Sequence, residues 1–263
     1  VGQVITVANQ KGGVAKTTTA INLAASLGSL GKKVLLLDLD PQGNATMGSG
    51  VDKHDLAFSS CEVLLGEANF RQATYRPKEL TYDVVPANGD LTAAEVGLMD
   101  APLREKRLRL AMEDVRKEYD YLLIDCPPSL NMLTLNALVA ADGVLVPIQT
   151  EYYALEGLSA LMGTIFKIQK TANAQLDIIG ILRTMHDPRN NLANEVSAQL
   201  IQHFGKKVFR TIIPRNVRVA EAPSHGLPIL MYDRTSRGAQ AYLELAEEML
   251  AAEGQGAAAE KAA

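Results

Sequence analysis

The chain has 263 residues, 47% hydrophobic and 21% charged, enough to bury one large core. A formal net charge of −4 excludes a globally basic nucleic-acid binder and leaves only a local patch for such a role. Two cysteines, Cys61 and Cys126, without C-x-x-C spacing and with no signal peptide before them, exclude a disulfide scaffold and a metal cluster built within one chain; no apolar run approaches the ~20 residues that cross a bilayer, so a cytoplasmic protein without membrane contact is expected.

Val4-Ile5-Thr6-Val7 reads as a buried strand that ends in the loop Ala8-Asn9-Gln10-Lys11-Gly12-Gly13-Val14-Ala15, after which Lys16-Thr17-Thr18 opens a helix. Strand, glycine loop and helix N-terminus in that order form a phosphate cradle. Residues without a bulky Cβ let successive N–H groups converge on one anion, and the helix dipole adds to them. Lys16 would reach β- and γ-phosphates, and Thr17 would place its hydroxyl on Mg²⁺. The strict pattern G-x-x-x-x-G-K-[ST] fails twice, at Gln10 and Ala15, whereas the variant K-G-G-x-x-K-[ST] fits throughout.

The first helix is expected over Thr17–Leu30 with Gly31 as its cap, and Lys33–Asp40 as a continuous apolar strand of a parallel sheet. That strand ends in carboxylates, where open α/β sheets place their ligands, so Asp40 is the candidate for positioning a water on the γ-phosphate. A helix through Cys61–Leu65, a strand at Tyr82–Pro86 and a charged helix over Leu103–Tyr119 follow. Tyr121-Leu122-Leu123-Ile124-Asp125 is a strand ending in an acid before Cys126-Pro127-Pro128, which makes Asp125 the candidate to hold Mg²⁺ through water and Cys126 a packing residue. Further strands are expected at Gly143–Ile148 and Leu176–Leu182, with a helix to about Lys170 between them. The alternation makes the fold class α/β: a single P-loop domain, residues 1–252, with a doubly wound, mostly parallel sheet flanked by helices.

Between Arg183 and Arg237 stand nine basic residues against four acidic ones, a local excess that suits DNA phosphates without base readout. The C-terminal helix is expected from Gly238 to Ala252, and residues 253–263 as a disordered tail.

The loop Lys11–Thr17 resembles the deviant Walker A loop of the ParA/MinD group of P-loop ATPases, which includes nitrogenase iron-protein relatives. Four further segments are similar to the chromosomal ParA type, also called Soj, in its short form: Asp38–Thr46, Asp125–Ser129, Glu151–Gly157 and Ile213–Arg218. The likeness runs from Gly2 to Ala252. It implies ATP and Mg²⁺ as cofactors, with ATP bound by Lys11, Gly12, Gly13, Val14, Ala15, Lys16, Thr17 and Thr18. Pro214 and Asn216 would cradle adenine, and Thr17 with Asp125 would organise the metal. It also implies an ATP-dependent sandwich homodimer in which Lys11 crosses to the partner's phosphates, while Lys16 and Asp40 serve hydrolysis. Arg189 and Arg218 match positions used for non-specific double-stranded DNA, and a ParB-type centromere-binding protein would stimulate an otherwise slow ATPase on the nucleoid. Ala15 stands where the family usually has glycine; a negative φ there is the expectation that lets the loop form. The rival readings are a ParA-like ATPase that positions another cargo, a MinD-like membrane-cycling ATPase, a cluster carrier and a DNA-tethered scaffold without turnover.

Overall fold

The computed structural model describes residues 1–262, with side chains through Gly254. Seven strands form one sheet: β1 Gln3–Val7, β2 Val34–Asp38, β3 Asp83–Val85, β4 Tyr121–Asp125, β5 Gly143–Gln149, β6 Asp177–His186 and β7 Val208–Pro214. Their spatial order is β3-β2-β4-β1-β5-β6-β7, and every pairing between them is parallel. The chain builds the side holding β2, β3 and β4 first and then crosses β1 to build β5, β6 and β7, and the crevice at that reversal, beyond the strands' carboxyl ends, is where such sheets hold ligands.

Alternation within the strands sends side chains to two cores, one on each face. Val4, Leu35, Leu37, Leu122 and Ile124 belong to one, and Ile5, Val7, Leu36, Leu123 and Leu145 to the other. Helix Lys16–Ser29 and the C-terminal helix Arg237–Ala262 cover the second face, where Tyr242 is fully buried and its hydroxyl lies 3.2 Å from Thr19 Oγ1. Register then aligns the functional ends. Asp125 is the partner of Val7 on one side and of Asp38 on the other, so the loop after β1 and both carboxylates share one level.

Two sequence expectations change. The single helix over Leu103–Tyr119 is instead a 3₁₀ turn Arg104–Lys106, a helix Arg107–Ala111 and a second turn Val115–Lys117. Leu103 has φ +53°, and the Asn136 amide intercepts the backbone, accepting from Leu108 N–H and donating to Arg104 O. After Arg183, where the sequence shows a basic excess and assigns no strand or long helix before the C-terminal one, the structure has helix Asn191–Phe204 and the edge strand β7. Finally, the last helix runs to Ala262 instead of stopping at Ala252, across the segment expected to be disordered. Alanines at 251, 252, 257–259 and 262 and the absence of proline favour that continuation, against Gly254 and Gly256.

Candidate functional site

The loop between β1 and the first helix is tied down from two neighbouring strands. The buried Asn9 side chain donates to Pro147 O on β5 at 2.8 Å and accepts from Lys11 N–H at 3.0 Å. Thr184 Oγ1, from β6, donates to Val14 O at 3.0 Å. Gly12 and Gly13 face solvent, Thr17 and Thr18 are half-buried, and Gly13 takes φ +72°. Ala15 has φ +65° and ψ +37°, so the expectation of a negative φ fails. The left-handed residue lets its carbonyl accept from Thr19 N–H at 2.9 Å and start the helix, while crowding its own Cβ.

Lys16 is only 7% exposed, and its Nζ donates back across the loop to Lys11 O at 2.8 Å. Burial lowers its pKa; Asp125, the Cys126 thiol and Asp40 act against that fall. Thr17 Oγ1 donates to Asp125 Oδ2 at 2.8 Å, which leaves Asp125 Oδ1 fully buried without a hydrogen-bond partner. An acceptor with no donor is the environment a hard cation satisfies. Burial first, and the Asp38 charge second, hold the Asp125 carboxyl well above the ordinary range, a state that a nearby cation would reverse. Among the described residues no group of three His, Cys, Asp or Glu side chains could hold a metal. A cation at Thr17 and Asp125 would thus take its remaining ligands from water and a polyphosphate, as Mg²⁺ commonly does. Cys126 is buried and its thiol pKa is pushed well up by that burial, which makes it inert.

Asp40 sits in the turn after β2. Gly43 N–H donates to Asp40 O at 2.9 Å and Gln42 N–H to Asp40 Oδ1 at 3.0 Å, so a β-turn and an Asx-turn fix the carboxylate from its own backbone. Gly43 closes the turn at φ +64°, where an added Cβ would lie 2.7 Å from Ala87 O. Asp38, fully buried, accepts from Asp40 N–H, Thr46 N–H and Thr46 Oγ1. Burial pushes its pKa up to about 6, and those three donors pull against the rise.

Lys11 does not point away from its own chain. Its Nζ pairs with Glu151 Oε2 at 2.6 Å in a half-exposed ion pair beside the exposed Tyr152 and Tyr153. Sequence reasoning missed this partner, because 140 residues separate the two and only the β1–β5 pairing brings them together.

Pro214 and Asn216 are separated in role. Pro214 lines an open cavity of about 480 Å³ with His186, Pro188, Ile212, Thr235 and Arg237. Asn216 is not part of that lining; its Oδ1 caps helix Val217–Glu221 by accepting from Val219 N–H at 3.2 Å.

The basic region is weaker than its composition. Arg183 is 6% exposed and donates to Ser197 Oγ and Phe209 O, so it leaves the surface. Arg189, with an 88% exposed side chain, is gripped by both carboxylate oxygens of Asp187 at 2.9 and 3.0 Å, and Arg218 is shared between Glu221 and Asp233. Lys207 pairs with Asp177, and Arg210 with Glu248. Among the described residues, Lys206, Arg215, Arg234 and Arg237 carry no ion pair, and they form the uncompensated part of the excess.

A family model described as an AAA domain matches residues 2–178. The chain is 53% identical to the chromosome-partitioning ATPase Soj of Thermus thermophilus, covering 94% of this chain and 95% of that one. It is 51% identical to the chromosome partitioning protein ParA of Myxococcus xanthus, over 95% and 88% respectively. Among solved structures, a Mycobacterium smegmatis protein described as cobyrinic acid a,c-diamide synthase, with bound ATP analogue and magnesium, superposes with a TM-score of 0.85 at 38% identity, covering 97% of each chain.

Proposed function

The chain belongs to the ParA/Soj family of chromosome-partitioning ATPases, and from that membership we propose that it is a Mg²⁺-dependent ATPase that dimerises on ATP, binds DNA without sequence preference and is released when a ParB-type partner triggers hydrolysis. The observation that carries the chemistry is the Thr17–Asp125 pair with its orphaned carboxylate oxygen at the mouth of the loop.

The roles follow from the side chains. Backbone N–H groups of the loop, from Gly12 to Thr18, bind the phosphates, and Lys16 exchanges its bond to Lys11 O for phosphate oxygens. Thr17 and Asp125 would hold Mg²⁺, which would supply neutralisation of the phosphate charge. Asp40 orients the attacking water in line with the γ-phosphorus. Lys11 leaves Glu151 to reach the partner's phosphates, which makes a single chain an incomplete catalyst. Pro214 offers one apolar wall for the adenine. DNA binding uses the Arg215, Arg234 and Arg237 surface together with Arg189 and Arg218 once their carboxylates yield.

Purified protein, ATP and Mg²⁺ with arbitrary duplex DNA at low salt test the reading. Retardation that requires both cofactors, with phosphate release, supports it; equal retardation without nucleotide refutes the coupling.

A further inference from the structure

The loop that carries Asp40 is held at both ends by one buried carboxylate. At its start, Asp40 N–H donates to Asp38 Oδ1 at 3.0 Å. At its end, Thr46 N–H and Thr46 Oγ1 donate to Asp38 Oδ2 at 2.9 and 2.7 Å. The Thr46 hydroxyl also accepts from Ala87 N–H at 2.8 Å, so the backbone just after β3 hangs on the same oxygen. Asp38, Thr46 and Ala87 are all fully buried. Asp38 is itself immobilised, because it is the last residue of β2, in register with Asp125 of β4, and Leu39 N–H continues the pairing to Asp125 O at 3.0 Å.

A hydroxyl makes both bonds through a single atom. It donates to a carboxylate and accepts from an amide at the same time, which neither valine nor alanine can reproduce. The chain Ala87 N–H to Thr46 Oγ1 to Asp38 is therefore satisfied in every member, and such buried networks resist deformation. We infer that Thr46 is a positioning residue for the hydrolytic step: acting through Asp38, its hydroxyl sets the place and angle of the Asp40 carboxylate without touching nucleotide or water itself. The inference rests on the reading of Asp40 as the water-orienting group. It deepens that reading by locating the part of the site that is rigid in a single chain, in contrast to Lys11, which must move.

The geometry sets the expected size. With the hydroxyl removed, Asp38 Oδ2 loses its shortest donor and Ala87 N–H loses its acceptor, and the turn is free to shift by a fraction of an ångström. Misplacement of about 1 Å at a reacting centre costs up to ~10²-fold in rate. Nucleotide binding depends on the loop before the first helix, to which this network makes no bond, and should be spared.

The test compares ATP turnover in the wild type, Thr46→Val, Thr46→Ser and Asp40→Ala, with ATP affinity measured separately by a fluorescent analogue. Support is a roughly 10-fold or larger fall in kcat for Thr46→Val, with analogue affinity within about twofold of wild type, and recovery in Thr46→Ser, which keeps the hydroxyl. A folded Thr46→Val with wild-type kcat beside an inactive Asp40→Ala overturns the inference and leaves the Asp40 reading standing. Unchanged turnover in Asp40→Ala removes both. Should Thr46→Val fail to fold, Thr46→Ala, which likewise deletes the hydroxyl, makes the same comparison; an unaltered kcat there also overturns the inference.

Discussion

Ala15→Gly should stabilise the nucleotide-free protein. Ala15 is held at φ +65°, ψ +37°, where an L-residue with a Cβ is disfavoured by about 1–2 kcal/mol relative to the right-handed region. Glycine is free of that penalty but gains unfolded-state freedom worth about 0.4–1 kcal/mol, so the net expected gain lies within about 0–1.6 kcal/mol and is centred on ~0.8 kcal/mol. For a chain of this length the unfolding entropy makes 1 kcal/mol worth about 2–3 °C, and the midpoint should rise by about 1–3 °C. Urea unfolding with nucleotide removed reads the same difference as a shift in midpoint at constant slope. Gly13→Ala is the mirror control. Gly13 sits at φ +72° with nothing within 4 Å of an added Cβ, so backbone strain less the same unfolded-state term sets its cost, about 1 kcal/mol of destabilisation. If Ala15→Gly is neutral or destabilising while Gly13→Ala costs nothing, the loop relaxes freely and stores no strain at either residue.

Asp40→Ala should leave ATP-analogue affinity within about twofold and abolish phosphate release; retained turnover would remove Asp40 from its role. Glu151→Gln should favour the proposed ATP dimer, because an exposed ion pair is worth about 0.2–1 kcal/mol and two would be broken per dimer, which lowers the dimer dissociation constant about 2- to 30-fold in light scattering. A weaker dimer would mean that Glu151 serves the interface instead. Arg218→Glu should weaken binding to all DNA sequences alike and flatten the dependence of log affinity on log salt by about one unit for each phosphate left without its arginine, with ATP affinity unchanged. Asp187→Asn should strengthen DNA binding by releasing Arg189. The Asp187 pKa is lowered to about 2 by its hydrogen bonds from Arg189, below the unfolded value, so the pairing is complete above about pH 4 and is lost only as pH falls through 2. The gain should therefore be flat across neutral pH; an effect that titrates near neutrality would point to another group.

The family, the fold class and the positions of Lys16, Thr17, Asp40 and Asp125 are legible in one dimension because each is a local event. A β-branched run stops, a glycine loop or a carboxylate follows, and a helix or a proline turn begins within a few residues. Parallel sheets place those ends side by side whatever the strand order, so motifs 108 residues apart, such as Thr17 and Asp125, meet without the sequence stating how. Strand order, register and burial are different in kind, since they depend on which distant segments pair. They decide that Lys11 rests on Glu151, that Arg183 is lost to the core and that Arg189 and Arg218 arrive already neutralised. Backbone sign is likewise not announced by residue type: Ala15 lies in the left-handed region of a loop that bonds to Pro147 on β5 and Thr184 on β6. Motif spacing supplied the candidate phosphate-binding pieces; the tertiary structure alone brought Asp38 and Ala87 together on the Thr46 hydroxyl, because those three residues lie on separate segments of the chain.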